Sequence, residues 1–145
     1  MKPFALVKDG HYLKNAYHLA VAAQLAYEDD PAGKSSELRT AFPQVEPFDT
    51  GDTEGFVAAN QKHVVVAFRG TDEVLDWLHN LDAAQSKGYG GKVHKGFDEA
   101  LDEAWTTVLR KVRRIRTNDQ TIWITGHSLG GALAMLATKG WKTKT

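Results

Sequence analysis

The sequence is most constrained at residues 121–139, where an apolar run, a glycine-rich turn and an alanine-rich segment follow one another without a break. TIWIT at 121–125 is typical of a buried strand, and ALAMLATK at 132–139 continues as a helix. GHSLG at 126–130 joins them and fits the pattern G-x-S-x-G. Because so sharp a turn leaves room only for very small neighbours, the glycines flank the serine at a fixed spacing. The pattern predicts a strand, a turn with Ser128 at its tip, and a helix.

This predicted turn is a nucleophile elbow, which presents Ser128 above the edge of a sheet. The amide of Leu129 would face the oxyanion that develops during acyl transfer, near the positive end of a helix. Gly126, His127 and Gly130 complete the elbow, and the His127 side chain is expected to point away from the hydroxyl. The alternative is a structural glycine-rich turn with an idle serine.

A second apolar run supplies the other half of the predicted site. HVVVAF at 63–68 is typical of a strand buried on both faces, and a turn at 60–61 predicts a hairpin with Glu54–Ala59. An acyl-transfer site needs two donors for its oxyanion, and the second usually comes from a loop after a neighbouring strand. Thr71, just beyond this strand, is the candidate donor. An ordinary strand-ending turn is the alternative.

The rest of the chain predicts an α/β fold. Apolar residues at helical spacing predict helices at 15–28 and 94–116, so that strand, helix, strand, turn and helix follow in βαβα order. The remaining segments are predicted as a loop with one short strand, a short helix, a flexible loop and a basic tail, at residues 32–53, 73–81, 86–91 and 139–145.

Composition excludes several classes of function. The 18 Lys+Arg balance the 18 Asp+Glu, which argues against nucleic acid as a partner, and the basic residues at 110–116 are read as a solvated helix end. With no cysteine, disulfides and thiolate catalysis are excluded. No histidine has the spacing of a metal ligand, so neither a metal nor another cofactor is expected. A single cytoplasmic domain over residues 1–145, with no signal peptide or transmembrane segment, is predicted.

Four motifs carry a resemblance to a known family: VVVAFRGTD, DWLHNL, VHKGF and IWITGHSLGGALA, in this order. Together they resemble the class 3 lipase family, the fungal-type triacylglycerol lipases with an α/β-hydrolase fold, over about residues 15–138. The resemblance implies a hydrolase for carboxylic esters in lipid metabolism, with Ser128 as nucleophile and Thr71 and Leu129 at the oxyanion hole. Trp77 lies in the segment that matches the family's lid, which implies a transient contact with a lipid interface; a packed core aromatic is the alternative.

One part of the family's pattern is missing. The triad runs Ser, then Asp or Glu, then His along the chain, whereas residues 129–145 contain no acid and no histidine. The sequence therefore predicts a truncated α/β-hydrolase-like fold that ends just after the elbow helix, with near-background turnover. Residues 121–125 or a neighbouring strand would then form an exposed apolar edge through which the chain could self-associate.

Two other functions stay open at this point. The chain could be a non-catalytic lipase-like binding or interaction module. It could also be a minimal enzyme that uses an out-of-order base such as His94, which in the family opens a helix and is not catalytic.

Overall fold

The computed structural model describes residues 5–8, 12–71, 85–88 and 91–144. Its helices are α1 (Tyr12–Leu25), α2 (Pro31–Lys34), α3 (Ser36–Ala41), α4 (Lys95–Ile115) and α5 (Leu129–Lys144). Its strands are β1 (Gln44–Asp49), β2 (Glu54–Ala59), β3 (His63–Phe68), β4 (Gln85–Gly88), β5 (Gly91–His94) and β6 (Thr121–Gly126). The predicted α/β class and the βαβα order from β3 to α5 are confirmed.

The main sheet has four strands in the order β1-β2-β3-β6. β2 pairs antiparallel with both β1 and β3, which confirms the predicted hairpin. β3 and β6 are parallel, and Phe68 lies opposite Gly126 in their register. Because these two strands are parallel, their carboxyl ends meet at one edge of the sheet.

The sheet is the middle layer of three, and the alternation of side chains along β3 shows why. Val64, Val66 and Phe68 pack into a core with residues of α4 and α5 on one face. Val65 and Ala67 pack on the other face, in a core that includes residues of α1 and α3. Since successive side chains of a strand point to opposite faces, a continuous apolar run is what a strand covered on both sides requires.

The amino-terminal segment is attached to α1 and to the sheet through polar side chains. In α1, the side-chain Nδ2 of Asn15 donates to the Val7 carbonyl at 2.7 Å, and its Oδ1 accepts from the Val7 amide at 2.9 Å. His63 is buried, with its Nε2 3.0 Å from the Leu6 carbonyl oxygen. The indole N–H of Trp123 donates to Nδ1 of His63 at 3.1 Å, so Nε2 carries the proton and the ring is neutral. Burial lowers the pKa of His63, which fits this assignment.

The segment predicted as a loop at 32–53 is in part wrong, because it also contains two short helices. Each begins at a side-chain cap: Asp30 Oδ1 accepts from the Gly33 amide at 2.9 Å, and Ser35 Oγ from the Leu38 amide at 3.1 Å. Such caps satisfy donors that a helix start leaves free, so helices this short can form without a long periodic pattern.

The prediction of a flexible loop at residues 86–91 is also wrong where the structure describes it. Residues 86–88 and 91, expected in a flexible loop, belong to β4 and β5, which pair antiparallel; residues 89 and 90 lie outside the described ranges. The expected basic tail is helical as far as Lys144. The Trp141 ring in this part of α5 meets Trp105 of α4 edge to face, with 6.1 Å between ring centroids.

Candidate active site

The backbone at Ser128 has the conformation that a nucleophile elbow needs. Its φ is 54°, which is in the left-handed region, and no other non-glycine residue among those described has a positive φ. β6 ends at Gly126 and α5 begins at Leu129, so the chain reverses within two residues and leaves Ser128 exposed. A left-handed backbone at a residue with a side chain costs about 1–2 kcal/mol, and the surrounding packing must hold it.

Two glycines make this turn sterically feasible. A Cβ on Gly126 would lie 2.1 Å from the carbonyl oxygen of Gly130. A Cβ on Gly130 would lie 2.4 Å from the Phe68 carbonyl oxygen and 2.7 Å from that of Arg69. Gly126 therefore lets the turn close on itself, whereas Gly130 lets the start of α5 approach the end of β3.

Leu129 lies where an oxyanion donor is expected. It is the first residue of α5, and the amides of a first helical turn have no partner within their own helix. The Ser128 carbonyl accepts from the amides of Gly131 and Ala132, at 2.9 and 3.3 Å, which anchors this turn. The Leu129 amide therefore sits at the positive end of the helix dipole, immediately after the serine.

Thr71 is brought to the same edge of the sheet. Since Phe68 is level with Gly126, residues 69–71 and 127–129 leave the sheet side by side. Gly70 contacts the elbow so closely that a Cβ on it would lie 2.5 Å from the His127 carbonyl oxygen. Thr71 and His127 both line one cavity.

Tyr27 was missed by the sequence analysis, although it connects the two halves of the site. Its hydroxyl lies 3.1 Å from Nδ1 of His127, and a Cβ on Gly70 would come within 2.3 Å of that oxygen. The Arg69 guanidinium lies over the Tyr27 ring, 5.8 Å from its centroid, and pairs with Glu54 at 2.5 Å. Tyr27 thus fixes the end of the α1 segment against both the elbow and the loop after β3.

A cavity of about 680 Å³ opens beside the elbow. Thr71, Thr125, Gly126 and His127 line it at the sheet edge. Its other wall comes from α1 and the turn that follows, through Ala16, Leu19, Ala20, Ala23, Gln24 and Tyr27.

None of the histidines with described side chains is placed as a base for Ser128. His63 starts β3, at the opposite end of the strand from the elbow, and both its ring nitrogens are hydrogen-bonded. His18 is buried within α1, and burial followed by the charge of Lys14 lowers its pKa. His127 contacts Tyr27 through Nδ1. The His94 side chain and Trp77, with the rest of the predicted lid, lie outside the described part of the chain.

No group of three or more His, Cys, Asp or Glu side chains among the described residues could hold a metal ion. No described helix is long and apolar enough to cross a membrane.

The sequence of this chain is similar to those of known lipases. The family described as Lipase (class 3) matches residues 65–144. Secreted mono- and diacylglycerol lipase 1 of Fusarium solani is 37% identical over 82 residues, which is 53% of this chain and 25% of the relative. Phospholipase A1-II 6 of Oryza sativa subsp. japonica is 30% identical over 106 residues, 57% of this chain and 26% of the relative. The chain spans about a quarter of the length of these relatives.

Solved lipase structures share the fold. The lipase of Rhizopus microsporus var. chinensis superposes with a TM-score of 0.71 at 25% identity, over 91% of this chain and 52% of its own. The mono- and diacylglycerol lipase of Aspergillus oryzae superposes with a TM-score of 0.76 at 25% identity, over 94% of this chain and 59% of its own. The expected α/β-hydrolase fold is therefore confirmed, over a little more than half of each of these chains.

Proposed function

Because the chain belongs to the class 3 lipase family, we propose that it supplies the nucleophile and the oxyanion hole of a serine hydrolase for carboxylic esters of lipids. The observation that carries this proposal is the left-handed backbone of Ser128, at φ 54°, between a parallel strand and a helix start. A strained backbone at an exposed serine has a physical rationale in nucleophilic catalysis, because the strained turn holds the hydroxyl above the edge of the sheet.

The proposed reaction is a two-step acyl transfer. Ser128 Oγ attacks the ester carbonyl carbon while a general base takes its proton, and the oxyanion accepts hydrogen bonds from the Leu129 and Thr71 amides. Collapse of this intermediate expels the alcohol and leaves an acyl-enzyme, which water then hydrolyses to the free acid. These steps require no metal or organic cofactor.

The general base is the part of this mechanism that the described residues do not supply. In this fold the acid and the histidine follow the nucleophile along the chain, and residues 129–145 contain neither. Near-background turnover of this chain by itself stays a prediction, as does the proposal that it is a portion of a longer hydrolase domain.

The relatives guide the choice of substrate class. Those in Fusarium solani and Oryza sativa are described as a mono- and diacylglycerol lipase and a phospholipase A1. We infer that acylglycerol esters are the substrates of the hydrolase to which this chain contributes, with a transient contact at the lipid interface. The segment around Trp77 is the proposed point of that contact.

A second candidate function is a non-catalytic lipase-like binding module. In this candidate the turn at 126–130 is a structural glycine-rich turn, and Ser128 is an idle serine. The two candidates differ in one respect, which is whether Ser128 reacts as a nucleophile.

A covalent probe separates the two candidates. The 145-residue chain and Ser128→Ala are incubated with a p-nitrophenyl phosphonate that carries an ethyl chain, and adducts are located by peptide mass spectrometry. Without its base, an oxyanion hole retains about 10³–10⁴-fold catalysis over water in well-studied serine proteases. We therefore expect Ser128 to be modified, and far faster than the exposed Ser36, which serves as the internal control.

Either of two results would contradict the catalytic proposal. One is equal modification of Ser128 and Ser36. The other is the same total yield of adduct in the wild type and in Ser128→Ala. Both would favour the binding module.

We also propose that the free edge of β6 is where the chain self-associates with a second copy. β6 is the last strand of its sheet in the described residues, and all its residues are half-buried. The Thr121 amide bonds to the Lys62 carbonyl of the sheet at 3.0 Å, so the neighbouring Ile122 amide points outward. An unpaired row of such groups is a template for another strand.

Sedimentation at increasing protein concentration tests this proposal. Ile122→Pro removes one outward donor and leaves the ladder to β3 intact, so we expect it to weaken association. Thr121→Pro, which removes an inward donor instead, is the matched control. A wild-type chain that stays monomeric throughout would overturn the proposal, as would unchanged association of Ile122→Pro.

A further inference from the structure

We propose that Arg69 is a positioning residue: its guanidinium, held between β2 and Tyr27, keeps the Thr71 amide within hydrogen-bond reach of the developing oxyanion. This inference rests on the proposed function, because it takes that amide as an oxyanion donor. Arg69 is the first residue after β3 and lies two residues before Thr71. Two residues of chain span about 7 Å at most, so whatever fixes Arg69 limits where the Thr71 amide can lie.

β2 holds Arg69 by its main chain and by its side chain. The Arg69 amide donates to the Glu54 carbonyl at 2.8 Å and extends the β2–β3 ladder by one pair. The guanidinium Nη1 donates to Oε2 of the same glutamate at 2.5 Å. Because both bonds end on one residue at the start of β2, a shift of Arg69 away from the sheet would break both.

Tyr27 connects the Arg69 guanidinium to the elbow. The guanidinium carbon lies 5.8 Å from the centroid of the Tyr27 ring. A cation within about 6 Å of an aromatic centroid, over the face of the ring, is attracted by the ring quadrupole. The Tyr27 hydroxyl lies 3.1 Å from Nδ1 of His127, the residue before Ser128. Contacts therefore run from Glu54 through Arg69 and Tyr27 to the elbow.

Gly70, between Arg69 and Thr71, shows how closely this segment is packed. A Cβ on Gly70 would lie 2.3 Å from the Tyr27 hydroxyl oxygen and 2.5 Å from the His127 carbonyl oxygen. The main chain thus passes through a narrow slot between the tyrosine and the elbow. Because so closely packed a region transmits displacement, a shift of the Tyr27 ring would be passed on to Thr71 or to the elbow.

The alternative is that the pair of Glu54 and Arg69 only closes the end of the β2–β3 hairpin. Their side chains are 42% and 28% exposed, and ion pairs this exposed contribute little to the free energy of unfolding. The two interpretations therefore differ in one measurable respect. A positioning role predicts that the reactivity of Ser128 falls more than stability does when the guanidinium is removed.

Three variants separate these interpretations. Arg69→Gln removes the charge and the contact with the ring. Arg69→Lys keeps the charge, but an ammonium on a flexible stem does not reproduce the planar contact of a guanidinium with Tyr27. Arg114→Gln is the matched control, because Arg114 near the end of α4 pairs in the same way with Glu46 of β1. Each variant is labelled with the ethyl p-nitrophenyl phosphonate, and its free energy of unfolding is measured in parallel.

We expect Arg69→Gln to slow the labelling of Ser128 about tenfold or more, since misplacement by about 1 Å can cost roughly 100-fold. The free energy of unfolding should change by a much smaller equivalent. Arg69→Lys should also be slow, whereas Arg114→Gln should label at the wild-type rate. Wild-type labelling of Arg69→Lys would show that charge alone matters and would overturn the positioning role. Equal rates in Arg69→Gln and Arg114→Gln would overturn it as well.

NMR of the labelled protein reports on the two oxyanion donors separately. In the wild-type adduct the amide protons of Leu129 and Thr71 should both shift downfield, because each donates to the phosphonyl oxygen. In the Arg69→Gln adduct the Thr71 shift should shrink and the Leu129 shift should stay. A wild-type adduct in which only the Leu129 proton shifts would overturn the inference and leave Ser128 in place as the nucleophile.

A double variant tests whether Arg69 acts through Tyr27. Tyr27→Leu removes the ring, and it is labelled alone and in combination with Arg69→Gln. If the two residues belong to one network, the double variant should label no more slowly than the slower single variant. Two effects that multiply would show independent action and would overturn the proposed connection.

Amide hydrogen exchange decides the case in which Ser128 does not react. In the unlabelled chain, Arg69→Gln should speed the exchange of the Gly70 and Thr71 amides about tenfold through easier local opening, and Arg114→Gln should leave it unchanged. That result would support the positioning of residues 69–71 even where the catalytic proposal has failed. Unchanged exchange in Arg69→Gln would overturn the inference.

Discussion

β3 and β6 have similar apolar sequences and run in parallel in one sheet, but their environments differ. Every residue of β3 is buried, whereas every residue of β6 is half-buried. β3 has a neighbour on each side, while β6 is the edge strand among the described residues. Position in the sheet, and not the apolar character of the run, accounts for the difference.

The two strands also have different structural roles at the carboxyl edge of the sheet. β6 continues into the turn that holds Ser128, and β3 is the buried strand against which this turn packs. The contact of Gly130 with the Phe68 and Arg69 carbonyls joins the two. The exposed, strained backbone of Ser128 thus follows the edge strand and is supported by the interior one.

The largest effect should come from removing a core side chain of β3. Phe68 is fully buried and meets Phe48 edge to face, so Phe68→Ala should lower the free energy of unfolding by about 3–5 kcal/mol. Ile124→Ala in the half-buried β6 should cost less than about 2 kcal/mol. Chemical denaturation of both variants checks this, and equal losses would break the distinction between the strands.

A methyl group at the junction of the two strands should have the next largest effect. Gly130→Ala would force its Cβ against two carbonyl oxygens of the β3 end, and overpacking of this kind costs about 1–3 kcal/mol. Gly131→Ala is the control, since its Cβ would lie 3.2 Å from the Gly126 carbonyl oxygen, and it should change stability by less than about 1 kcal/mol. Phosphonate labelling of Ser128 should be lost only in Gly130→Ala; retention in that variant would contradict the steric account.

The free energy of unfolding should depend on pH through His63, at the amino end of β3. Burial lowers the pKa of His63, so the unfolded chain takes up a proton first as the pH falls. The contribution of His63 to the free energy of unfolding is fully present above the ordinary histidine pKa of about 6.5. It declines as the pH falls through that value toward the lowered pKa of the folded state. Thermal unfolding from pH 7.5 to 5 should show a shallower loss in His63→Gln, although His18 still contributes. An identical slope would contradict the assignment.

The smallest effect is expected at Tyr27. Tyr27→Phe keeps the ring under Arg69 and removes the hydrogen bond to His127, which should cost about 0.5–1 kcal/mol because the pair is exposed. The rate of Ser128 labelling should fall in this variant by a larger free-energy equivalent than the loss in the free energy of unfolding. Tyr17→Phe, an exposed tyrosine of α1, is the control, and equal labelling in both would show that Tyr27 does not position the site.

A structural feature could be predicted from the sequence where its cause lies in neighbouring residues. β3, α4, β6 and the start of α5 were predictable because their apolar spacing and the elbow glycines are local signals. The short helices α2 and α3 depend on single side-chain caps, and β4 and β5 on pairing between polar segments, so periodicity could not reveal them. Tyr27 acts on His127 across 100 residues of sequence, and no local pattern marks such a pair.

The most direct test of the central claim is hydrolysis of p-nitrophenyl butyrate by the 145-residue chain and by Ser128→Ala, at increasing concentrations of imidazole. Imidazole serves as a diffusible general base in place of the histidine that residues 129–145 do not contain. If the elbow and its two amides are a working nucleophile and oxyanion hole, the wild type should gain a Ser128-dependent rate that rises with imidazole. Identical rates in both proteins at every concentration would contradict that claim.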